Sequence, residues 1–297
     1  MRGVEVVEQQ AKSVINAVTG MPFKWSINPY RGCYHQCTFC YARRSHTYLE
    51  ADGVKEWGTR LYVKANAPTV VRSELAKRSW KRERVAIGTV TDPYQPIEGR
   101  YRVTRGILEA LRDYASPCSI TTRSPLVVRD IDVLQSLART ASVCVSISIA
   151  TLDTDVARTI EPTVAPPRQR LRAVRMLAEA GIEVNVALAP VLPQITDTPQ
   201  SIEAVVAAAR DAGASHVWHN TLYLHDVTRD AFFGYLRESR PDLIADYARL
   251  YRGTFAPRAI ADEIDAKVEE ALGRHPMRAT PRICSEAAVQ LSLIDVA

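Results

Sequence analysis

No stretch of this 297-residue chain comes near the roughly 18 consecutive apolar residues of a membrane-spanning helix, so no membrane association is expected. Cysteine is scarce. Six in a chain of this length do not make a disulfide scaffold. Residues 1–10 mix acidic, basic and polar types without an apolar core, so no secretory signal is read there. No G-x-G-x-x-G follows a strand-like run, which removes the usual dinucleotide-binding fingerprint. Internal repeats, low-complexity tracts, helix–turn–helix patterns and zinc-finger patterns are also missing. The formal charge of +5 is a mild excess, compatible with an anionic substrate but weak as a nucleic-acid signal. These absences leave a globular protein with an ordinary core, expected in the reducing cytoplasm.

Three of the six cysteines stand together. Arg31-Gly32-Cys33-Tyr34-His35-Gln36-Cys37-Thr38-Phe39-Cys40-Tyr41-Ala42 spaces them C-x3-C-x2-C, just after a strand expected over 24–28. Thiolates are soft ligands that suit zinc, copper or an iron–sulfur cluster. A closed zinc site takes four ligands, usually as two Cys/His pairs, and no second pair follows, although His35 lies inside the loop. Three ligands without an evident fourth point to a [4Fe–4S] cluster with one iron open to another ligand. A small zinc knuckle, or free thiols, is the competing reading.

Around this loop, strand and helix patterns alternate. Strands are expected at 61–64, 85–90, 119–122, 143–149, 182–188 and 217–222, with helices at 67–80, 103–114, 131–138, 171–180 and 201–212. Ser201 is the expected cap of the last helix. The stretch 143–149 reads as a strand buried on both faces. Val14, Ile15 and Val18 have helical spacing in an N-terminal leader, residues 1–22. Alternation of this kind predicts parallel βαβ units, and about six or seven strands fall short of a closed eight-stranded barrel. The expected fold class is α/β: a partial (β/α)6 TIM-type barrel over 23–225, with a C-terminal helical extension over 226–297. That extension carries Phe232, Phe233, Tyr235, Tyr247 and Tyr251 among arginines, then an amphipathic helix at 260–272.

The cysteine spacing, with Phe39 before the third cysteine, resembles the signature of the radical S-adenosylmethionine (SAM) superfamily. Asn28-Pro29-Tyr30, Thr151-Leu152-Asp153, Ile160-Glu161-Pro162 and Ala189-Pro190-Val191-Leu192-Pro193 are similar to segments of its spore photoproduct lyase-like branch. The resemblance implies that Cys33, Cys37 and Cys40 each ligate one iron of a [4Fe–4S] cluster, whose fourth iron chelates SAM. It also implies reductive cleavage of SAM to methionine and a 5′-deoxyadenosyl radical, which abstracts hydrogen from a substrate. An external electron donor of flavodoxin or ferredoxin type is implied in turn. Phe39 stands where the family packs an apolar residue against adenine.

Other candidates lie at strand ends, where parallel barrels put functional groups. Thr89, Thr91 and Asp92 are candidates for the SAM ammonium group, with Gln95 and Glu98 nearer the substrate. Arg123 offers a fork for a carboxylate. Ser148 ends a strand facing SAM, and Ala189 with Pro190 presents backbone to adenine. Tyr41 matches one of the lyase's two functional tyrosines, while Phe39 replaces the other. Thr89 replaces the lyase's hydrogen-donating cysteine. Among the remaining cysteines, Cys118 and Cys144 are expected to be buried hydrophobes. Cys284 is therefore the candidate hydrogen donor beside Tyr41.

The expected activity is that of a radical SAM enzyme, a lyase, transferase or oxidoreductase, acting on a small molecule or peptide in preference to nucleic acid. A DNA-lesion lyase is one alternative, favoured by the basic run Arg72, Lys77, Arg78, Lys81, Arg82, Arg84. A non-catalytic zinc or iron–sulfur protein is another.

Overall fold

The computed structural model describes residues 3–49 and 52–277. The chain opens with β1 (Glu5–Gln9) and β2 (Ile15–Ala17), then β3 (Trp25–Ile27) and β4 (Tyr30–Arg31). The cysteine loop follows, continuing into a 3-10 helix, Tyr41–Leu49, and β5 (Arg60–Lys64). After α1 (Ala67–Leu75) come β6 (Val85–Ile87), α2 (Glu98–Tyr101), α3 (Val103–Asp113), β7 (Cys118–Thr122) and α4 (Ile131–Ala138). Next are β8 (Val143–Ser148), α5 (Thr154–Ile160), α6 (Pro167–Glu179), β9 (Glu183–Val191), α7 (Pro199–Asp211) and β10 (His216–Thr221). Three helices close the described chain: α8 (Asp226–Ser239), α9 (Ile244–Leu250) and α10 (Arg258–Arg274).

The main sheet has the order β10-β9-β8-β7-β6-β3-β2. Its six central strands run parallel in chain order, and β2 adds an antiparallel edge to β3. This is the six-stranded partial barrel. Two local expectations give way. The segment at 61–64 is a strand, but it joins a separate three-stranded sheet, β1-β5-β4. Val14 and Ile15 do not begin a helix: β-branched and bracketed by short turns, they extend, and their N–H groups donate to the Glu74 carboxylate.

Alternation along the strands sets the interior. On β8, Val143, Val145 and Ile147 enter the core beneath the helices, whereas Cys144, Ser146 and Ser148 face the lumen. On β9, Val184, Val186 and Leu188 face outward, and Asn185 lines the lumen. The strand at 143–149 is buried on both faces as expected, apart from half-buried Ser146, but one face is apolar and the other small or polar. Closed eight-stranded barrels fill their centre with branched side chains. Here Ser, Thr, Cys and Asn leave a cavity of about 970 Å³.

Helix boundaries follow their caps. Thr198, rather than Ser201, caps α7, its hydroxyl accepting from Ser201 N at 3.2 Å. Asp153 caps α5, an element absent from the expected list, by accepting from the N–H groups of Asp155 and Val156. Helix α1 stops at Leu75, so the basic run beyond it is a turn instead of a helix face. The aromatics after residue 226 build a second core, in which Phe232, Tyr235, Tyr247 and Tyr251 pack with Cys37, Phe39, Ile160 and Leu192. Tyr247 and Tyr251 stack with ring centroids 5.5 Å apart.

Gly88, which follows β6 and begins the loop toward the cysteines, has φ +89°, and a Cβ there would lie 2.5 Å from Thr121 O and 2.6 Å from Pro93 Cδ. Left-handed strain and overpacking act together at this position. Gly88→Ala is expected to lower unfolding stability by about 2 kcal/mol or more, measured by urea denaturation.

Candidate functional site

Twelve of the sequence-derived candidates line the same cavity: Cys33, Cys37, Phe39, Cys40, Tyr41, Thr89, Thr91, Asp92, Arg123, Ser148, Ala189 and Pro190. They gather at the carboxyl ends of the parallel strands. Cys284 lies outside the described residues.

Backbone anchors define the cysteine loop. Thr38 N donates to Ile160 O at 3.0 Å, and Thr228 Oγ1 donates to Cys40 O at 3.1 Å. Thr91 Oγ1 donates to Gly32 O at 2.6 Å. Gln95 brackets Cys33: its Nε2 donates to Gly32 O at 3.3 Å and its Oε1 accepts from Tyr34 N at 2.9 Å. Cys33 and Cys37 are buried, and Cys40 is half-buried. Burial pushes the Cys33 thiol well above its ordinary range, and repulsion from Asp92, Cys40 and Cys37 adds to this. Among the described residues, no three His, Cys, Asp or Glu side chains converge on a single metal-ion position.

Asp92 is the hub beside the loop. Its Oδ1 accepts from Thr122 Oγ1 at 2.7 Å and from Tyr94 N at 2.8 Å, and its Oδ2 accepts from Arg123 N at 2.7 Å. His35 Nδ1 stands 3.2 Å from Oδ2, without hydrogen-bond alignment. Burial alone would raise the Asp92 carboxyl; His35 and the donated hydrogen bonds outweigh it and hold the group below its ordinary range. Through these bonds Thr91 and Asp92 tie the two loops together while both line the cavity. Gln95 and Glu98, expected nearer the substrate, are instead fully buried. Glu98 accepts from the Tyr30 hydroxyl, from Thr104 N and from Arg129 Nη2.

Arg123 takes its carboxylate from within the protein. Its Nε donates to Glu161 Oε1 at 2.9 Å, its Nη2 donates to Ala189 O at 3.0 Å, and its guanidinium lies 5.4 Å from the Phe39 ring centroid. Arg170 completes the group, donating to Glu161 Oε2 at 2.6 Å and to Ser148 O at 2.7 Å. The sequence offers Arg170, with Leu171, only as part of a lyase-like segment and assigns it no partner. Its one signal is an arginine in the buried stripe Pro167, Arg170, Ala173, Val174, Leu177 of α6. Asn28, known from sequence only as part of a lyase-like segment, braces the loop after β6: its Nδ2 donates to Thr89 Oγ1, and its Oδ1 accepts from Val90 N.

Tyr41 stands at the mouth of the cavity, where its hydroxyl donates to Thr89 O and its ring lies 5.9 Å from that of Tyr223. His225 and Phe255 complete this aromatic group. His219 is held by Asp265 at 2.7 Å. Cys118 and Cys144 are both buried as expected, Cys144 on the lumen side, 3.1 Å from Asn185 Nδ2. The basic turn before β6 lies at the amino ends of the strands, opposite the cysteines.

A family model described as "Radical SAM superfamily" matches residues 27–200, more than half of the chain. The chain belongs to the radical SAM superfamily. An uncharacterised protein of Mycobacterium tuberculosis is 35% identical over 277 residues, covering 92% of this chain and 82% of that protein. One from Methanocaldococcus jannaschii is 30% identical over 194 residues, covering 65% and 70% respectively. Among solved structures, a spore photoproduct lyase mutant with bound AdoMet and dinucleoside spore photoproduct superposes with a TM-score of 0.68 at 16% identity. That match covers 91% of this chain and 79% of the lyase. The shared fold is that of a radical SAM enzyme, and the family implies SAM and a [4Fe–4S] cluster.

Glu161 generates a pH prediction. Burial pushes its carboxyl up, but Arg170 and Arg123 overcome this and hold it below the ordinary value. A depressed carboxyl contributes stability that is full above the unfolded value and lost as pH falls through the folded one. Glu161→Gln is expected to cost about 3–5 kcal/mol at pH 7, because it strands buried Arg170 without a counter-charge. Urea denaturation across a pH series should show the gap from wild type closing as acid protonates Glu161.

Proposed function

We propose that the protein uses a [4Fe–4S] cluster on Cys33, Cys37 and Cys40 to cleave SAM reductively and act on a small molecule or peptide held in the barrel lumen. The observation that carries this reading is the opening of three thiols from one loop into the same cavity as the strand ends. A cluster seats each thiolate on a different iron, so the thiols need not converge on one point as they would around zinc. When bound, cluster and SAM supply one-electron cleavage to methionine and a hydrogen-abstracting 5′-deoxyadenosyl radical.

The chain's own residues supply position and enclosure. Phe39 offers an apolar face for adenine, held under the Arg123 guanidinium. Ser148, the Ala189–Pro190 backbone and Thr89 line the cavity and would hold the ribose and adenine of SAM. Arg123 keeps its charge toward the ligand's carboxylate while Glu161 fixes its orientation. Thr91 and Asp92 act indirectly, by holding the cysteine loop against the strand ends. Tyr41, at the mouth, and Cys284 are the candidate hydrogen carriers. An external flavodoxin- or ferredoxin-type donor and a cytoplasmic location complete the proposal. The enclosed lumen, lined by Ser119, Ser146 and Asn185, suits a small polar substrate or a peptide side chain. The exposed basic turn lies at the wrong end to present nucleic acid to the cysteines.

Anaerobic reconstitution with iron and sulfide, reduction with dithionite and addition of SAM tests this. Wild type is expected to produce 5′-deoxyadenosine, quantified by liquid chromatography, while a Cys33→Ala/Cys37→Ala/Cys40→Ala variant remains at background. A protein that binds zinc and assembles no iron–sulfur chromophore would overturn the reading.

A further inference from the structure

Arg43, three residues after the last cysteine, is 6% exposed, and among the described residues no carboxylate pairs with it. Among the described residues its guanidinium bonds to backbone carbonyls. Nε donates to Cys37 O at 3.3 Å and Nη2 donates to the same oxygen at 3.0 Å. Nη2 also reaches Gln36 O at 3.4 Å, and Nη1 donates to Gly53 O at 3.1 Å. The ring of Trp57, itself buried against Cys33 and Ala42, covers the guanidinium at 5.7 Å. A buried guanidinium cannot shed its proton, so it needs an anion nearby. Burial pulls its pKa down while the three thiols, as thiolates, pull it up. The other buried charges at the site are paired, Glu161 with both Arg123 and Arg170, and Asp92 beside His35.

We propose that Arg43 is the counter-charge of the cluster, stabilising its reduced form over its oxidised form through a buried positive charge. This rests on the cluster reading above. Three thiolates on a [4Fe–4S]2+ core carry one net negative charge, and reduction by one electron adds a second. A fixed cation inside a low-dielectric wall favours the more negative state, and salt screens it little. Arg43 thereby sets how readily an external donor fills the cluster. It acts as a positioning residue for charge and does not touch substrate.

The test is a dye-mediated potentiometric titration of the reconstituted, full-length protein, read by electron paramagnetic resonance of the reduced cluster. Activity is not the readout. Arg43→Met is expected to lower the reduced-to-oxidised ratio at a fixed potential about tenfold, a downward shift of about 59 mV for one electron. Arg43→Lys, which keeps the charge but loses the forked carbonyl bonds, is expected to stay near wild type. A fully loaded Arg43→Met cluster with an unchanged potential would overturn the proposal. If Arg43→Met fails to load, Arg43→Lys decides: loading at the wild-type potential supports the charge role, whereas failure alongside Arg43→Met shows that Arg43 only ties the loop and overturns it. Wild type that assembles no cluster would instead sink the cofactor reading itself.

Discussion

The lumen face of the parallel strands carries small side chains, and the rest of the structure depends on that constraint. Ser119, Cys144, Ser146 and Asn185 fill little volume, so the barrel cannot be stabilised from its centre as a packed eight-stranded barrel is. Apolar burial is displaced to the outer face, where Ile120, Val145, Ile147, Val184 and Val186 meet the helices with no exposure. With a hollow interior, the loops at the strand ends are supported by the second, aromatic core and fixed by directed bonds.

Buried polar networks supply that fixation. One network runs from Glu98 through Tyr30, Arg129 and Thr104 and sets the loop that starts at Gly88. That loop reaches the cysteines through Thr91 and Gln95, and the next strand through Asp92. A second network joins Glu161 to Arg123 and Arg170, and through them to the carbonyls of Ala189 and Ser148. Both are held chiefly by bonds within the protein, with Arg170 Nε left over, which suits them to hold geometry.

The legible part of the sequence was the part with strong local periodicity or spacing. The helix at 131–138 matched its bounds because Val133, Leu134 and Leu137 give one apolar stripe. The cysteine motif was legible because soft ligands at short spacing have few other uses. Residues 61–64 read as a strand, but which sheet they join depends on residues 5–9, some fifty positions away, and periodicity carries no such information. Thr91 and Asp92 read as ligand contacts because the sequence shows polar residues at a strand end and not their partners. Arg43 and Arg170 were assigned no partner for the opposite reason. Arginine reads as surface in composition, and only the fold shows these two at 6% and 1% exposure.

The balance of buried charge carries the argument one step further. Arg43, Arg123 and Arg170 bring three guanidinium groups to a site with two buried carboxylates, Asp92 and Glu161, an excess of one. Excess buried charge of one sign is costly unless an occupant neutralises it. The excess lies against the three thiols, the one place where a resident anion would be covalently held. A zinc ion on three thiolates and a neutral histidine would carry one negative charge without ever changing it, so a fixed cation would balance it statically. A cluster that cycles between two charges gains more, because the same guanidinium that offsets the resting charge also lowers the cost of the added electron. The fold thus provides a hollow core and bonded strand ends. At the cysteine loop it adds a fixed field of the sign that an electron-accepting centre requires.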